Sequence, residues 1–255
     1  MDAGRLKTIG ILILLCVNLA FGGILLMERL DSAEGAAHTR TELVEVMAGL
    51  GIQVSAEQIP GALNLPVCAV SRDRDLEDRL VGTLLGETEG LDQGGNIRYY
   101  ENENGWAWCR SGGNFEIMVL SGGGSLETRL TEGGIRAQRE GESYVCLVRD
   151  VEGFNCRFSL SQRSGGIYIS GRCILGEPVP GEKPESTDPA TLLLRFYDLI
   201  RDAGGVFSRI EELRTGYVLS VSASGMVLDP VWRMETDGGI WYLDLREDRL
   251  ISLGL

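Results

Sequence analysis

Hydrophobic and polar positions divide this chain into one apolar block and a long stretch of short periods. From Ile9 to Met27 no residue is charged, and the aliphatic character is broken by Cys16 and Asn18. At about 1.5 Å per residue the run reaches about 28 Å, close to the hydrocarbon thickness of a bilayer. It therefore predicts one transmembrane helix at 9–27. Arg5 and Lys7 precede it with only Asp2 against them, while Glu28, Arg29, Asp31 and Glu34 follow. The positive-inside rule makes 1–8 a cytoplasmic tail and puts everything after Met27 outside the cell membrane. A cleavable signal peptide is the competing reading. Its apolar core is normally about 7–15 residues with small residues close behind, whereas Gly35-Ala36-Ala37 lies past several charges, which favours an uncleaved anchor.

Beyond a small, polar juxtamembrane spacer at 28–40 the pattern turns periodic. Leu43, Val46, Met47 and Leu50 recur at helical spacing from Thr41, and Gly51 ends the helix. Residues 65–71 read as a strand. Residues 73–85 read as a helix with Leu76, Leu80, Leu84 and Leu85 on one face and Gly86 as its stop. Strands at 96–101 and 106–110 flank the turn signal Asn102-Glu103-Asn104-Gly105, and a third follows at 115–120. The Gly-rich 121–125 reads as a loop, because no Gly-Lys-Ser/Thr follows to complete a phosphate cradle.

An internal echo then appears, matching Leu43 with Leu126, Met47 with Leu130 and Gly51-Ile52 with Gly134-Ile135. It predicts an α+β protein whose extracellular part consists of two similar units, 41–124 and 125–255, each an antiparallel sheet packed with helices. In the second unit, strands at 145–149, 154–160 and 166–173 form a meander. Residues 175–188, rich in Pro, Gly and Glu, read as a solvent-exposed connector. Asp188 before Pro189 starts a helix to about Ala203 that buries Leu192, Leu193, Phe196, Tyr197 and Ile200. Strands at 216–224, 230–236 and 240–245 close the chain.

Composition narrows the function classes. Hydrophobic residues at 44% and charged residues at 24% are ordinary globular usage, and a net charge of −13 disfavours nucleic acid as a partner. Cys16 lies in the apolar run, leaving Cys68, Cys109, Cys146, Cys156 and Cys173 outside, an odd number that cannot all pair. Register sets Cys156 roughly opposite Cys173, and Cys146 roughly opposite Cys156. Buried free thiols and a structural disulfide both stay open.

The sequence offers little chemistry. Its only histidine, His38, sits in the spacer, so no Ser-His-Asp or Cys-His apparatus can assemble in the folded domain. The cysteine separations are long, with no C-x-x-C to hold zinc. Glu101, Glu103, Asp73, Asp75 and Asp244 could pair for glycosidase chemistry, but nothing singles out two of them. No catalytic residue, cofactor or metal is expected. Tyr99, Tyr100, Trp106 and Trp108 form a candidate aromatic surface for carbohydrate stacking, with core and cross-strand packing as the competing role. Within the apolar run, the Asn18 amide calls for a hydrogen-bond partner on another helix, and Gly22 and Gly23 allow close approach.

Four stretches resemble the YycH/YycI family of Gram-positive bacteria, in particular its YycI-type two-component system regulatory proteins. Leu6-Lys7-Thr8 leading into Ile11–Leu15 and Val17-Asn18-Leu19 is similar to the family's anchor, and 43–60 (LVEVMAGLGIQVSAEQIP) to the entry of its extracellular domain. Leu84-Leu85-Gly86 before a Tyr-containing hairpin resembles its first-unit pattern. The segments 228–233 (LDPVWR), 236–239 (TDGG) and 241–244 (WYLD) after Gly216-Tyr217 resemble its closing segment, although Arg246-Glu247-Asp248 departs from the usual ending. The resemblance implies a non-enzymatic accessory protein that associates with a membrane-bound sensor histidine kinase controlling cell-wall metabolism, with a sister YycH-type protein as a further partner. An anchored extracellular module binding peptide or cell-wall glycan is the alternative.

Overall fold

The computed structural model describes residues 40–61, 65–120, 125–182, 188–222 and 225–253. The expected span at 9–27 lies outside them, and so do residues 121–124 of the Gly-rich loop. The chain divides into two units, Met1–Gly61 and Ala62–Leu255.

In the first unit a helix at 40–49 (α1) buries Leu43 and Met47, while Val46 and Leu50, expected on the same face, are 49% and 44% exposed. The helix stops because Gly51 turns to φ 80°, letting Ile52 N donate to Met47 O at 2.9 Å and Gly51 N to Ala48 O at 3.0 Å. This left-handed stop satisfies carbonyls that the helix end would otherwise orphan. A single 3-10 turn follows at Ala56–Gln58, held by Ser55 N donating to Gln58 Oε1 at 2.8 Å.

In the second unit the same arrangement recurs three times, a helix leading into four antiparallel strands. After strand β1 (Cys68–Val70), helix α2 (Arg74–Leu85) leads β2 (Leu91–Asp92), β3 (Ile97–Asn102), β4 (Gly105–Arg110) and β5 (Asn114–Val119). Helix α3 (Leu126–Glu132) leads β6 (Ala137–Glu140), β7 (Ser143–Val148), β8 (Val151–Arg163) and β9 (Gly166–Arg172). After strand β10 (Pro178–Pro180), helix α4 (Pro189–Asp202) leads β11 (Ile210–Ser222), β12 (Gly225–Thr236), β13 (Gly239–Asp244) and β14 (Arg249–Ile251).

The helix starts follow from local chemistry. The Asp73 carboxylate accepts from Asp75 N and Leu76 N at the head of α2, and Asp188 accepts from Thr191 N ahead of Pro189 in α4. The internal echo also has a local cause. Ile135 N donates to Leu130 O and Gly134 N to Thr131 O, repeating the Gly51-Ile52 stop. Helix α4, outside the echo, ends identically, with Gly205 N on Ile200 O and Gly204 at φ 81°. The echo thus records how these helices stop.

The first two helix-led modules meet through their last strands. β5 pairs antiparallel with β9 from Asn114↔Arg172 to Val119↔Ile167, giving eight strands in the order β2-β3-β4-β5-β9-β8-β7-β6. The expected boundary at 124/125 therefore falls between neighbouring strands of one sheet. The third module lies beside β8, joined to it by the single parallel pair Tyr217↔Gly153. The inner face of the eight-stranded sheet carries Tyr100, Ala107, Cys109, Phe115, Ile117, Cys156, Phe158 and Ile169. They form one core with Leu80, Val81, Leu84 and Leu85 of α2 and Leu130 of α3.

Three expectations change. Strand β12 begins at Gly225 and runs through Pro230, where its outer partner changes from β1 (Met226–Leu228) to β13 (Val231–Thr236). A missing N–H costs nothing between two ladders. The connector at 175–188 is not wholly solvent-exposed: Leu175 is buried and Pro178–Pro180 pairs with β1 as an edge strand. Tyr197 is half-buried rather than in the core.

Candidate functional site

The outer face of the eight-stranded sheet, opposite α2 and α3, is built by period-2 alternation. In β4, Gly105, Ala107 and Cys109 point inward and are buried, while Trp106, Trp108 and Arg110 are half-exposed. Cross-strand register arranges this face in three rows. One holds Ile97, Arg110, Asn114, Arg172 and Arg157; the next Tyr99, Trp108, Glu116, Ser170 and Ser159; the third Glu101, Trp106, Met118, Tyr168 and Ser161. Successive rows lie about 7 Å apart along the strands, two residues at a time.

The rings are held by their neighbours. Tyr99 and Trp108 sit directly opposite, centroids 4.6 Å apart and tilted by 42°, and Trp106 lies 6.2 Å from Tyr168. Such pairs contribute about 0.5–1.5 kcal/mol beyond their buried area. The Arg163 guanidinium stacks over the Tyr168 ring at 3.5 Å. Between the rows, Glu116 accepts from Arg110 at 2.7 Å and from the Tyr168 hydroxyl at 3.0 Å. The Arg110 hydrogen bond, followed by that of Tyr168, holds the Glu116 carboxyl below its ordinary range.

Of the four aromatics singled out in the sequence, Tyr99, Trp106 and Trp108 share this outer face. Tyr100 does not. It points inward, fully buried, and donates to Asp78 Oδ1 at 2.8 Å; burial, then that hydrogen bond, pushes its phenol well up. The correction follows from alternation, which sends neighbours on one strand to opposite faces. Asn18, Gly22 and Gly23 lie outside the described residues.

The same face also carries Met118, Tyr168, Arg110 and Arg172, which sequence reasoning missed. Their outward phase is legible inside β5 and β9, but only the β5–β9 pairing, across more than fifty residues, sets Tyr168 beside Trp106.

The five cysteines at 68, 109, 146, 156 and 173 are all free and buried. The ladders run toward the expected register, with Val145↔Arg157 next to Cys146 and Cys156, and Phe158↔Gly171 two residues from Cys156 and Cys173. Among the described residues, no group of three or more His, Cys, Asp or Glu side chains is placed to hold a metal ion. No helix among them is long and apolar enough to cross a membrane.

No family model matches the chain, and no curated protein is significantly similar to it. The crystal structure of an uncharacterized protein from Eubacterium rectale is similar at a TM-score of 0.42 and 11% identity, over 75% of this chain and 86% of that one. A likeness at this level carries no function across.

Proposed function

We propose that this chain is a non-enzymatic, membrane-anchored accessory regulator that associates with a sensor histidine kinase controlling cell-wall metabolism, as its resemblance to the YycH/YycI family implies. Residues 9–27 serve as the anchor, with Asn18, Gly22 and Gly23 facing the kinase's own spanning helices and 28–255 outside the cell. The observation that supports action by association is the outer face itself. It is half-exposed and aromatic, on strands rather than loops, and suited to a macromolecular partner. A sister protein of the same family would complete the complex.

The test is co-purification of the full-length chain with the kinase from one membrane. Replacing 9–27 by an unrelated spanning helix, or Asn18→Leu, should weaken recovery and alter kinase output. Unchanged association and signalling would sink the reading. A second reading, an anchored extracellular module for peptide or wall glycan, is favoured by the ring pairs Tyr99–Trp108 and Trp106–Tyr168 on one face. It requires glycan or peptide binding that is indifferent to the anchor sequence.

A further inference from the structure

Arginine is distributed unevenly on this acidic protein. Three of the five residues in the first row of the outer face are Arg110, Arg172 and Arg157, although the chain carries a net charge of −13. Arg110 is neutralised by Glu116 at 2.7 Å, and Arg157 is paired with Glu140 at 2.5 Å. Arg172 is different. Its Nε donates to Gly112 O at 2.9 Å, and among the described residues no carboxylate lies within ion-pair distance of it. It lines a cleft of about 430 Å³ with Asn114, Asn155, Arg157, Gly171, Ser252 and Leu253. Asn155 forms a wall only, because both ends of its amide are held by Leu219. Asn114 is exposed and paired directly to Arg172 in the ladder.

We propose that this cleft is an oxyanion subsite centred on Arg172, and that it recognises a carboxylate- or phosphate-bearing glycan whose rings lie on Trp108 and Trp106. The proposal rests on the second reading above and names its ligand chemistry. A guanidinium fork matches a carboxylate or phosphate in two parallel hydrogen bonds. Trp108 on β4 lies one row, about 7 Å, along the strands and two strands, about 10 Å, across the sheet from Arg172 on β9. A sugar stacked on Trp108 therefore leaves the acidic substituent of a neighbouring sugar to reach Arg172, and Trp106 lies about 7 Å further along β4. Half-exposed indole rings standing on strand centres suit pyranose faces. An acidic peptide would instead look for side-chain pockets or an open strand edge.

The test uses the full-length chain in detergent, titrated calorimetrically with hyaluronan hexasaccharide as the carboxylate source and monophosphorylated maltohexaose as the phosphate source. Neutral chitohexaose and hexaglutamate serve as contrasts. At least one acidic sugar should bind, more weakly as salt rises, and roughly tenfold or more tightly than chitohexaose or hexaglutamate. Arg172→Gln, Trp108→Ala and Asn114→Asp should each weaken it by roughly tenfold. Asn114→Asp is the decisive variant if Arg172→Gln fails to fold, since its side chain is exposed and it only adds a repelling charge.

Equal binding of chitohexaose, insensitive to Asn114→Asp, would overturn the oxyanion subsite and leave the second reading standing. Equal binding of hexaglutamate would overturn the glycan and favour an acidic peptide. Absence of binding by every probe would sink both the subsite and the second reading.

Discussion

The side chain of Asn155 stands in for a strand against Leu219. Its Nδ2 donates to Leu219 O at 2.9 Å and its Oδ1 accepts from Leu219 N at 2.8 Å, so one amide engages both backbone groups of a residue only 2% exposed. The backbone ladder between β8 and β11 consists of the single pair Tyr217↔Gly153, which leaves Asn155 to extend the joint between the second and third modules. Asn155→Ala removes both bonds and strands a buried N–H and C=O, at an expected cost of about 2–4 kcal/mol in denaturant unfolding. A loss below about 1 kcal/mol would assign the joint instead to ion pairs such as Arg214 with Glu152, 2.7 Å apart.

Glu77 is a charge with nowhere to go but Arg72. The carboxylate is fully buried on α2, and Arg72 binds it through Nε and through Nη2 at 2.9 Å while Nη2 also reaches Cys109 O at 3.2 Å. Removing one partner leaves an uncompensated buried charge, so Arg72→Ala is expected to cost about 3–5 kcal/mol. The double variant Arg72→Met with Glu77→Leu should lose less than Arg72→Ala alone. A double variant that is the less stable of the two would show that the pair contributes net stability rather than orientation.

These two residues also mark where sequence reading stops. Asp73, Gly86, Asp188 and Gly204 act within a turn of where they stand, so helix ends are visible in the chain. The alternation in 105–110 likewise fixes which of Trp106 and Ala107 faces out. Nothing local says that β5 lies against β9, or that Asn155 meets Leu219, because those contacts are chosen by the whole core. Glu77 falls at a position where the helical period expects an apolar residue, and only the Arg72 side chain, which donates to Glu77 and to the distant Cys109 O, explains the exception. The short strands β6, largely polar, and β10, rich in proline, exist because a neighbour offers an edge. The candidate face was therefore half legible: its rings could be found in the sequence, but its arginine row could not.

Asp237 gives the fold an acid-sensitive point. Its carboxylate accepts from Ser208 Oγ at 2.6 Å, Ser208 N at 2.9 Å and Arg209 N at 3.0 Å, and these bonds, the hydroxyl first, hold its pKa down to about 2. A carboxyl whose folded pKa is depressed contributes stability above its unfolded pKa, near 3.9, and loses it as pH falls through the folded value. Wild type should therefore lose stability between about pH 4 and pH 2 relative to Asp237→Asn, the two curves running parallel at neutral pH. Parallel curves down to pH 2 would rule out the carboxylate as the holder of the 208–209 turn.

The buried thiols should be chemically silent until the protein unfolds. Burial pushes Cys109 and Cys156 up to about 12, and Cys146 and Cys173 rise for the same reason. Only the thiolate attacks a disulfide reagent, so at pH 8 these groups are both protonated and shielded. Native protein treated with an aromatic disulfide should show no rapid labelling at 68, 109, 146, 156 or 173 by peptide mass spectrometry. In guanidinium without reductant all six cysteines of the chain should titrate. A count of four would reveal one disulfide, with Cys146, Cys156 and Cys173 as the first positions to search, because the ladders run toward placing Cys156 between the other two. Fast labelling of the native state would mean instead that β7 and β8 part readily at the irregularity between Val145 and Leu147.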